Sequence, residues 1–453
     1  MFHRRPPPQS VDRLVFQEKY PIFVIVVIFL REIVIEMKVE ISEQFPFRKI
    51  PTHRLKELCR GISHNRTIQT FRMVGEDITQ HLDIDIFQIL TPFFQYNRQI
   101  HTVSLGGLEM SLSIDSLTLA LSKCKELKCF HVDNICCDYR LFDALSNKGL
   151  VELRFCEVGT ILDRRVSTAL ANLITTSATS MRALDLNFGY FDYDGFVILS
   201  NALLSCKTLE HLGLKNMTFY TVDSLGNPRV TFSTMNDEFA IGLGDALAGI
   251  DTLKSLDLGG SCSYITSVSG WQGIVKCLRN VNSSLYSLDL QECGMNDEKA
   301  RAIVSALSGN SCLRELCLLK NYSITGNIWD DIINMLCDRT SVGSIIYSSN
   351  HTLHSILIDL PIPAEVAFLL AMNRNEDRSE AIRGKLLKFH FSDRGDGDKC
   401  ANIHVFAQMS ESMMPIALEW IGRNRFGFSL MYEVVQVLPA MFNVTHGRQI
   451  LNA

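Results

Sequence analysis

From about residue 68 the chain repeats one arrangement of hydrophobic positions, apolar-x-x-apolar-x-apolar. It runs through Ile68/Phe71/Met73, Ile100/Val103/Leu105, Leu127/Phe130/Val132, Leu150/Leu153/Phe155 and Met181/Leu184/Leu186. It continues through Leu209/Leu212/Leu214, Leu253/Leu256/Leu258, Leu285/Leu288/Leu290 and Leu313/Leu316/Leu318. The last two apolar positions of each copy are two apart, which puts their side chains on one face of a short strand. The stretch that follows each strand has helical spacing instead. In the copy starting at Leu285, Asn296 stands as a helix N-cap, and Ala300, Ile303, Ala306 and Leu307 fall on one stripe. Comparable stripes occupy Ile114 to Leu121, Val166 to Leu173, Phe196 to Leu204, Phe239 to Leu247 and Ile274 to Leu278.

The unit is therefore strand, loop, helix and return loop. The first and last starts, Ile68 and Leu313, lie 245 residues apart, about 31 residues per repeat. No such unit buries its apolar face alone, so neighbours stack, strands against strands and helices against helices. The expected fold is an α/β solenoid, a horseshoe with a parallel sheet inside and helices outside. These motifs resemble the ribonuclease-inhibitor-like class of leucine-rich repeat proteins over residues 55 to 352. In that class an Asn or Cys follows the last strand leucine by three residues. Cys293 and Asn321 meet this, whereas Gly189, Met217 and Ser261 stand at the equivalent places. Other groups must then bind the turn backbone, and irregular stacking is expected there.

The regions outside the array read differently. Residues 1–54 form an N-terminal extension whose apolar run Ile22 to Leu30 follows His3, Arg4 and Arg5. The run is half the length of a bilayer span and is read as a peripheral strand, or part of a partly disordered tail outside the fold, rather than an export signal. The tryptophans Trp271 and Trp329, each after an Ile-Thr pair, are expected to seat the starts of two helices. After Cys337 the pattern decays through Val342/Ile345/Tyr347 and Leu353/Ile356/Ile358. Residues 353–453 are expected to be a helical cap, with Ala364 to Met372 and Ala381 to Phe389 as a helical pair and further stripes at Met414 to Ile421 and Leu430 to Leu438. Leu55 to Ile62 is a smaller candidate at the opposite end.

Composition narrows the chemistry. Of 453 residues, 47% are hydrophobic and 21% charged, with a formal charge of −5, which excludes general disorder and offers no basic footprint for nucleic acid. Fourteen cysteines without a Cys-x-x-Cys pair fit buried thiols in a reducing compartment, and neither Cys136-Cys137 nor Cys312/Cys317 has zinc-site spacing. Cys129 and Cys317 fall at outward strand positions. The loop at Gly395 to Lys399 lacks P-loop spacing, and no nucleophile elbow or zinc helix is present. No cofactor, metal or catalytic residue is expected. The reading is a cytoplasmic monomer, with the nucleus as the alternative compartment.

Function is then expected on side chains that point away from the helices. At the central outward position they run Arg72, Ser104, His131, Arg154, Asp185, Gly213, Asp257, Asp289 and Cys317. Basic groups precede carboxylates, a gradient suited to a dipolar protein partner. Tyr286 and Arg314 join them at the position after the first apolar residue. The interval from Leu209 to Leu253 is 44 residues, and its excess, between Lys215 and Glu238, is expected to form a rim hairpin presenting Phe219 and Tyr220. What the resemblance implies is a protein-interaction scaffold. Its alternatives are a regulator of a small GTPase, similar to the Ran GTPase-activating proteins, and a ubiquitin-ligase substrate receptor. The first lacks the usual acidic tail, and the second lacks a convincing adaptor ahead of the repeats.

Overall fold

The computed structural model describes residues 37–41, 68–74, 86–106, 114–133, 138–156, 161–222, 228–233, 235–280, 282–375 and 378–389. The apolar run at Ile22, the candidate cap at Leu55, Cys136-Cys137, the Gly395 loop and the stripes beyond Met414 lie outside them. The chain divides into two units, Met1–Gly294 and Met295–Ala453. Each is built from the strand and helix alternation of an α/β leucine-rich-repeat solenoid.

In the first unit one parallel sheet follows the order β1 (Met37–Ile41), β2 (Ile68–Val74), β3 (Thr102–Gly106), β4 (Cys129–Asp133), β5 (Glu152–Cys156), β7 (Ala183–Leu186), β9 (His211–Gly213), β12 (Ser255–Asp257) and β13 (Ser287–Asp289). The missing numbers belong to a second sheet described below. Register is set by the apolar rows: Phe71, Val103, Phe130, Leu153, Leu184, Leu212, Leu256 and Leu288 are in-register neighbours. All are at most 1% exposed. A one-residue slip would move that whole row to solvent, so the pleat fixes the register. The strand β1, paired in parallel with β2, was not foreseen from the sequence.

Helices follow the strands: α1 (Ile86–Tyr96), α2 (Ile114–Lys123), α3 (Tyr139–Leu145), α4 (Arg164–Thr176), α5 (Tyr193–Leu203), α6 (Asp237–Leu247) and α7 (Val268–Arg279). Each packs on the next. Their starts are capped by side chains that accept the N3 amide, among them Asp163 on Val166, Asp192 on Gly195, Asn236 on Phe239 and Ser267 on Gly270. Between α6 and α7 the backbones themselves touch. A Cβ on Gly244 would stand 1.8 Å from the Gly273 carbonyl oxygen.

The second unit contains α8 (Asp297–Leu307), β14 (Glu315–Cys317), α9 (Ile328–Leu336), α10 (Val342–Tyr347), β15 (Ser355–Leu357), α11 (Ala364–Asn373) and α12 (Arg378–Phe389). Asn296 caps α8 as expected, accepting the Lys299 amide at 3.1 Å. Trp271 and Trp329 are buried in α7 and α9. Where the motif decays at Val342/Ile345/Tyr347 the chain forms the helix α10, capped by Ser341. The Leu353 motif does make a strand, and β15 pairs in parallel with β14. Both Ile-Thr pairs have a common use: Asp237 accepts the Thr266 amide at 3.0 Å, and Asp297 accepts that of Thr325 at 2.7 Å. A carboxylate in the first turn of one helix thus ties down the loop entering the next.

The turns after the strands are more uniform than their sequences. Two residues beyond the last strand leucine, Phe188, Asn216, Gly260, Glu292 and Lys320 all take positive φ, between 52° and 71°. At the next position Ser261 does the work that Asn321 does in its own repeat. The Ser261 hydroxyl donates to Leu214 O and accepts the Met217 amide at 2.8 Å, while Asn321 accepts the Met295 amide at 3.0 Å and donates to Leu318 O. Cys293 contributes its thiol to Leu258 O at 3.4 Å. The irregularity expected at these turns is therefore absent at Ser261.

Candidate functional site: the helix-free face of the sheet

The outward residues of the first unit form a row as regular as the buried one. Arg72, Ser104, His131, Arg154, Asp185, Gly213, Asp257 and Asp289 are in-register neighbours on successive strands. Adjacent strands lie about 4.8 Å apart, so each charge feels its neighbours.

The centre of the row is a chain of close polar contacts in which Arg154 is ion-paired to two carboxylates. His131 Nε2 lies 3.3 Å from Glu152 Oε1, Arg154 Nε lies 2.5 Å from the same carboxylate and 3.2 Å from Asp185 Oδ2, and His211 Nε2 lies 2.7 Å from Asp185 Oδ1. Asp185 is only 5% exposed. Its carboxylate leans over Gly213, where a Cβ would meet Asp185 Oδ1 at 2.0 Å. Glycine at that strand position is what gives the carboxylate room to reach His211. Burial is the main cause that lowers the His131 pKa, against the raising effect of Glu152.

The acidic end is arranged differently. Asp257 accepts the Gly259 amide at 2.9 Å and Asp289 accepts the Gln291 amide at 2.8 Å. Among the described residues neither carboxylate makes an ion pair. Burial, and behind it the like charge of Asp289, pushes the Asp257 carboxyl above its ordinary value despite the Gly259 hydrogen bond. Tyr286, at the start of β13, is 42% exposed.

Along the strand entries a second row sets one carboxylate between two cations. Glu210 is held between Arg182 and Lys254, each at 2.7 Å.

These positions sharpen the graded face expected from sequence. Arg154 is not a free cation but is shared by two carboxylates, and Asp185 is a buried linker rather than a contact surface. Asp257 and Asp289 are half-buried charges without an ion pair among the described residues. Arg72 is half-buried on β2. Arg314 is exposed beside β14 in the second unit. The sequence missed Glu152 and His211. Both stand at the third motif position, just ahead of the central apolar residue, which points outward as well.

The insertion forms a hairpin, as its composition implied. Strands β10 (Thr218–Val222) and β11 (Pro228–Ser233) pair antiparallel and join β8 (Tyr190–Phe191) and β6 (Ile161–Leu162) in a four-stranded sheet ordered β11-β10-β8-β6. Phe219 does not face a partner. It is 3% exposed, with ring centroids 4.3 Å from Phe239 and 5.2 Å from Phe196. An aromatic in β10 is thus the anchor of the hairpin, and Tyr220 is its neighbour on that strand.

The described cysteines are free thiols, and no group of three His, Cys, Asp or Glu fit to hold a metal occurs among the described residues. Cys129 and Cys317 are half-buried rather than open to solvent. No helix among the described residues is long and apolar enough to cross a membrane.

The sequence matches no protein-family model and no curated relative. Solved structures similar to it include the Rad7 and Elc1 complex of yeast, at 15% identity over 63% of this chain and 75% of that one, TM-score 0.35. The leucine-rich repeat-containing protein LegL7 from Legionella pneumophila matches at 12% identity over 75% of this chain and 99% of that one, TM-score 0.38. Actin-binding site 2 of leiomodin-1 matches at 15% identity over 48% and 95%, TM-score 0.25. With identities this low, the fold assignment rests on the chain's own strand and helix order.

Proposed function

We propose that the protein is a non-enzymatic scaffold that binds a protein partner through the helix-free face of its first unit, with the acidic end of the row as the main contact. The observation that carries this is the pairing of Asp257 with Asp289. Two carboxylates sit in register on adjacent strands, neither of them ion-paired among the described residues, and burial together with the like charge of Asp289 raises the Asp257 pKa even with Lys215 and His211 nearby. That arrangement disfavours the isolated fold, and a basic segment laid across β12 and β13 relieves it. Tyr286 supplies an exposed aromatic beside it, a side chain enriched at interface hot spots. The centre of the row, where Arg154 is ion-paired to Glu152 and Asp185, supplies a fixed polar rim that sets register.

The test is affinity capture with the full chain and with the Asp257→Lys/Asp289→Lys variant. Proteins captured by the first and lost from the second are the partners expected here. An identical set from both sinks the proposal. The identity of the lost proteins also decides whether the scaffold serves a GTPase or a ubiquitin ligase, the two alternative roles.

A further inference from the structure

Among the described residues the second unit buries one charged side chain completely. Lys385, in the middle of α12, is 0% exposed. Its amine lies 2.7 Å from Leu336 O at the end of α9, 2.7 Å from Asn350 O, and 3.2 Å from His351 Nδ1. Three N–H bonds of an ammonium thus meet three acceptors, and none of the acceptors is a carboxylate. His351 Nε2 lies 2.7 Å from Ile345 O in α10, which fixes the tautomer with the proton on Nε2 and leaves the Nδ1 lone pair for the lysine.

The other titratable groups around this site do not supply a countercharge. On the α9 side stands the buried thiol of Cys337, which burial pushes up and which therefore stays neutral. Asp338 accepts from Thr340, and Arg339 is drawn outward to Glu365 of α11 and over the Phe389 ring. On α12 itself Glu380 pairs with Arg383, and Arg378 adds positive charge toward His351. On α10 the phenol of Tyr347 is 64% exposed. Among the described residues the ammonium is held by dipoles alone.

We infer that Lys385 makes the docking of α12 onto the last repeat responsive to pH, loosening it in acid and fastening it in alkali. In water a detached helix keeps the lysine protonated and hydrated at no cost. Docked, the proton must be carried into a dry site, so every proton taken up opposes docking. Loss of the proton leaves two N–H bonds for the two carbonyls and gives up only the contact to His351. Burial accordingly lowers the Lys385 pKa from 10.5 to about 7, and burial followed by the Lys385 charge lowers that of His351 to about 3, so the imidazole stays neutral throughout. The docked state binds fewer protons than the detached state between these lysine values. The lysine therefore strengthens docking as pH rises from about 7 and contributes no pH dependence below that.

Hydrogen exchange of the α12 amides in the full chain, corrected for intrinsic rates, reads this opening. Between pH 6 and pH 8 protection is expected to rise about tenfold. In Lys385→Met, which keeps the apolar stem without the charge, protection is expected to be flat across that range and higher than wild type at pH 6. Protection in the wild type that is flat or falls with rising pH overturns the inference, as does a Met variant with the wild-type slope. If the variant fails to fold, titration of the lysine side-chain resonances in the wild type decides. One resonance moving near neutrality is expected; all lysines titrating at their ordinary value overturns it.

Discussion

A buried hydroxyl at Ser261 carries a turn that the sequence left without its usual residue. It is fully buried and serves two backbone groups of the preceding repeat. Removing it leaves the Met217 amide and the Leu214 carbonyl unpaired in a dry place. Ser261→Ala is expected to cost about 1–3 kcal/mol in urea unfolding. At Asp257 the sign is opposite. Its raised pKa means that ionisation opposes folding, a penalty present above the folded pKa and gone once pH falls below the unfolded value. Asp257→Asn keeps an acceptor for the Gly259 amide and removes the charge. The variant is expected to melt higher than wild type at pH 7, with the gain shrinking on acidification. A lower melting temperature at pH 7 would contradict the electrostatic reading of this residue. The same residues show why a pattern locates a position without describing its surroundings. The central outward spacing found Arg154, Asp185 and Asp257 alike. Only the fold shows that the first is shared, the second buried and the third left without an ion pair, because that depends on Glu152 of the same strand and on Gly213 and Asp289 of neighbouring strands.

Among the elements, the close approach of α6 and α7 is held by glycine on both sides. A Cβ on Gly273 would stand 2.6 Å from Ile241 Cα, as one on Gly244 would meet Gly273. Either Gly244→Ala or Gly273→Ala must push the helices apart, and a loss of about 1–3 kcal/mol is expected by chemical denaturation. Nothing in helical periodicity announces this contact, since glycine carries no hydrophobic signal. The hairpin was more legible, because β-branched and aromatic residues clustered in an interval too long for the repeat. The sequence could not show which way its aromatics faced. Phe219 packs inward on Phe196, Phe239 and Phe191, so Phe219→Ala is expected to cost about 3–5 kcal/mol in thermal or urea unfolding. The helix α10 stands where the strand motif decays. Val342, Ile345 and Tyr347 satisfy strand and helix spacing over so short a span, and the Ser341 cap, accepting the Ser344 amide at 3.0 Å, decides for helix.

At the level of the whole molecule, the repeat was readable because stacking demands the same buried positions in every copy. The strands from Ile68 to Cys317 appear where the leucine motif placed them. The partner surface is less constrained, since each outward side chain answers only to its neighbours and to whatever it meets in solution. The proposal that the helix-free face binds a protein is therefore tested by charge on that face against charge on the helices. The most direct measurement is the affinity of a captured partner for three full-length chains, by calorimetry over a range of salt concentrations. The chains are wild type, Asp257→Lys/Asp289→Lys, and the control Asp245→Lys on α6, where the native carboxylate pairs with Lys276 in solvent. The account predicts that the double variant loses at least about tenfold in affinity, that it also loses the salt dependence of the wild type, and that the control matches wild type. Equal affinities for wild type and the double variant, or a loss confined to the control, would contradict it.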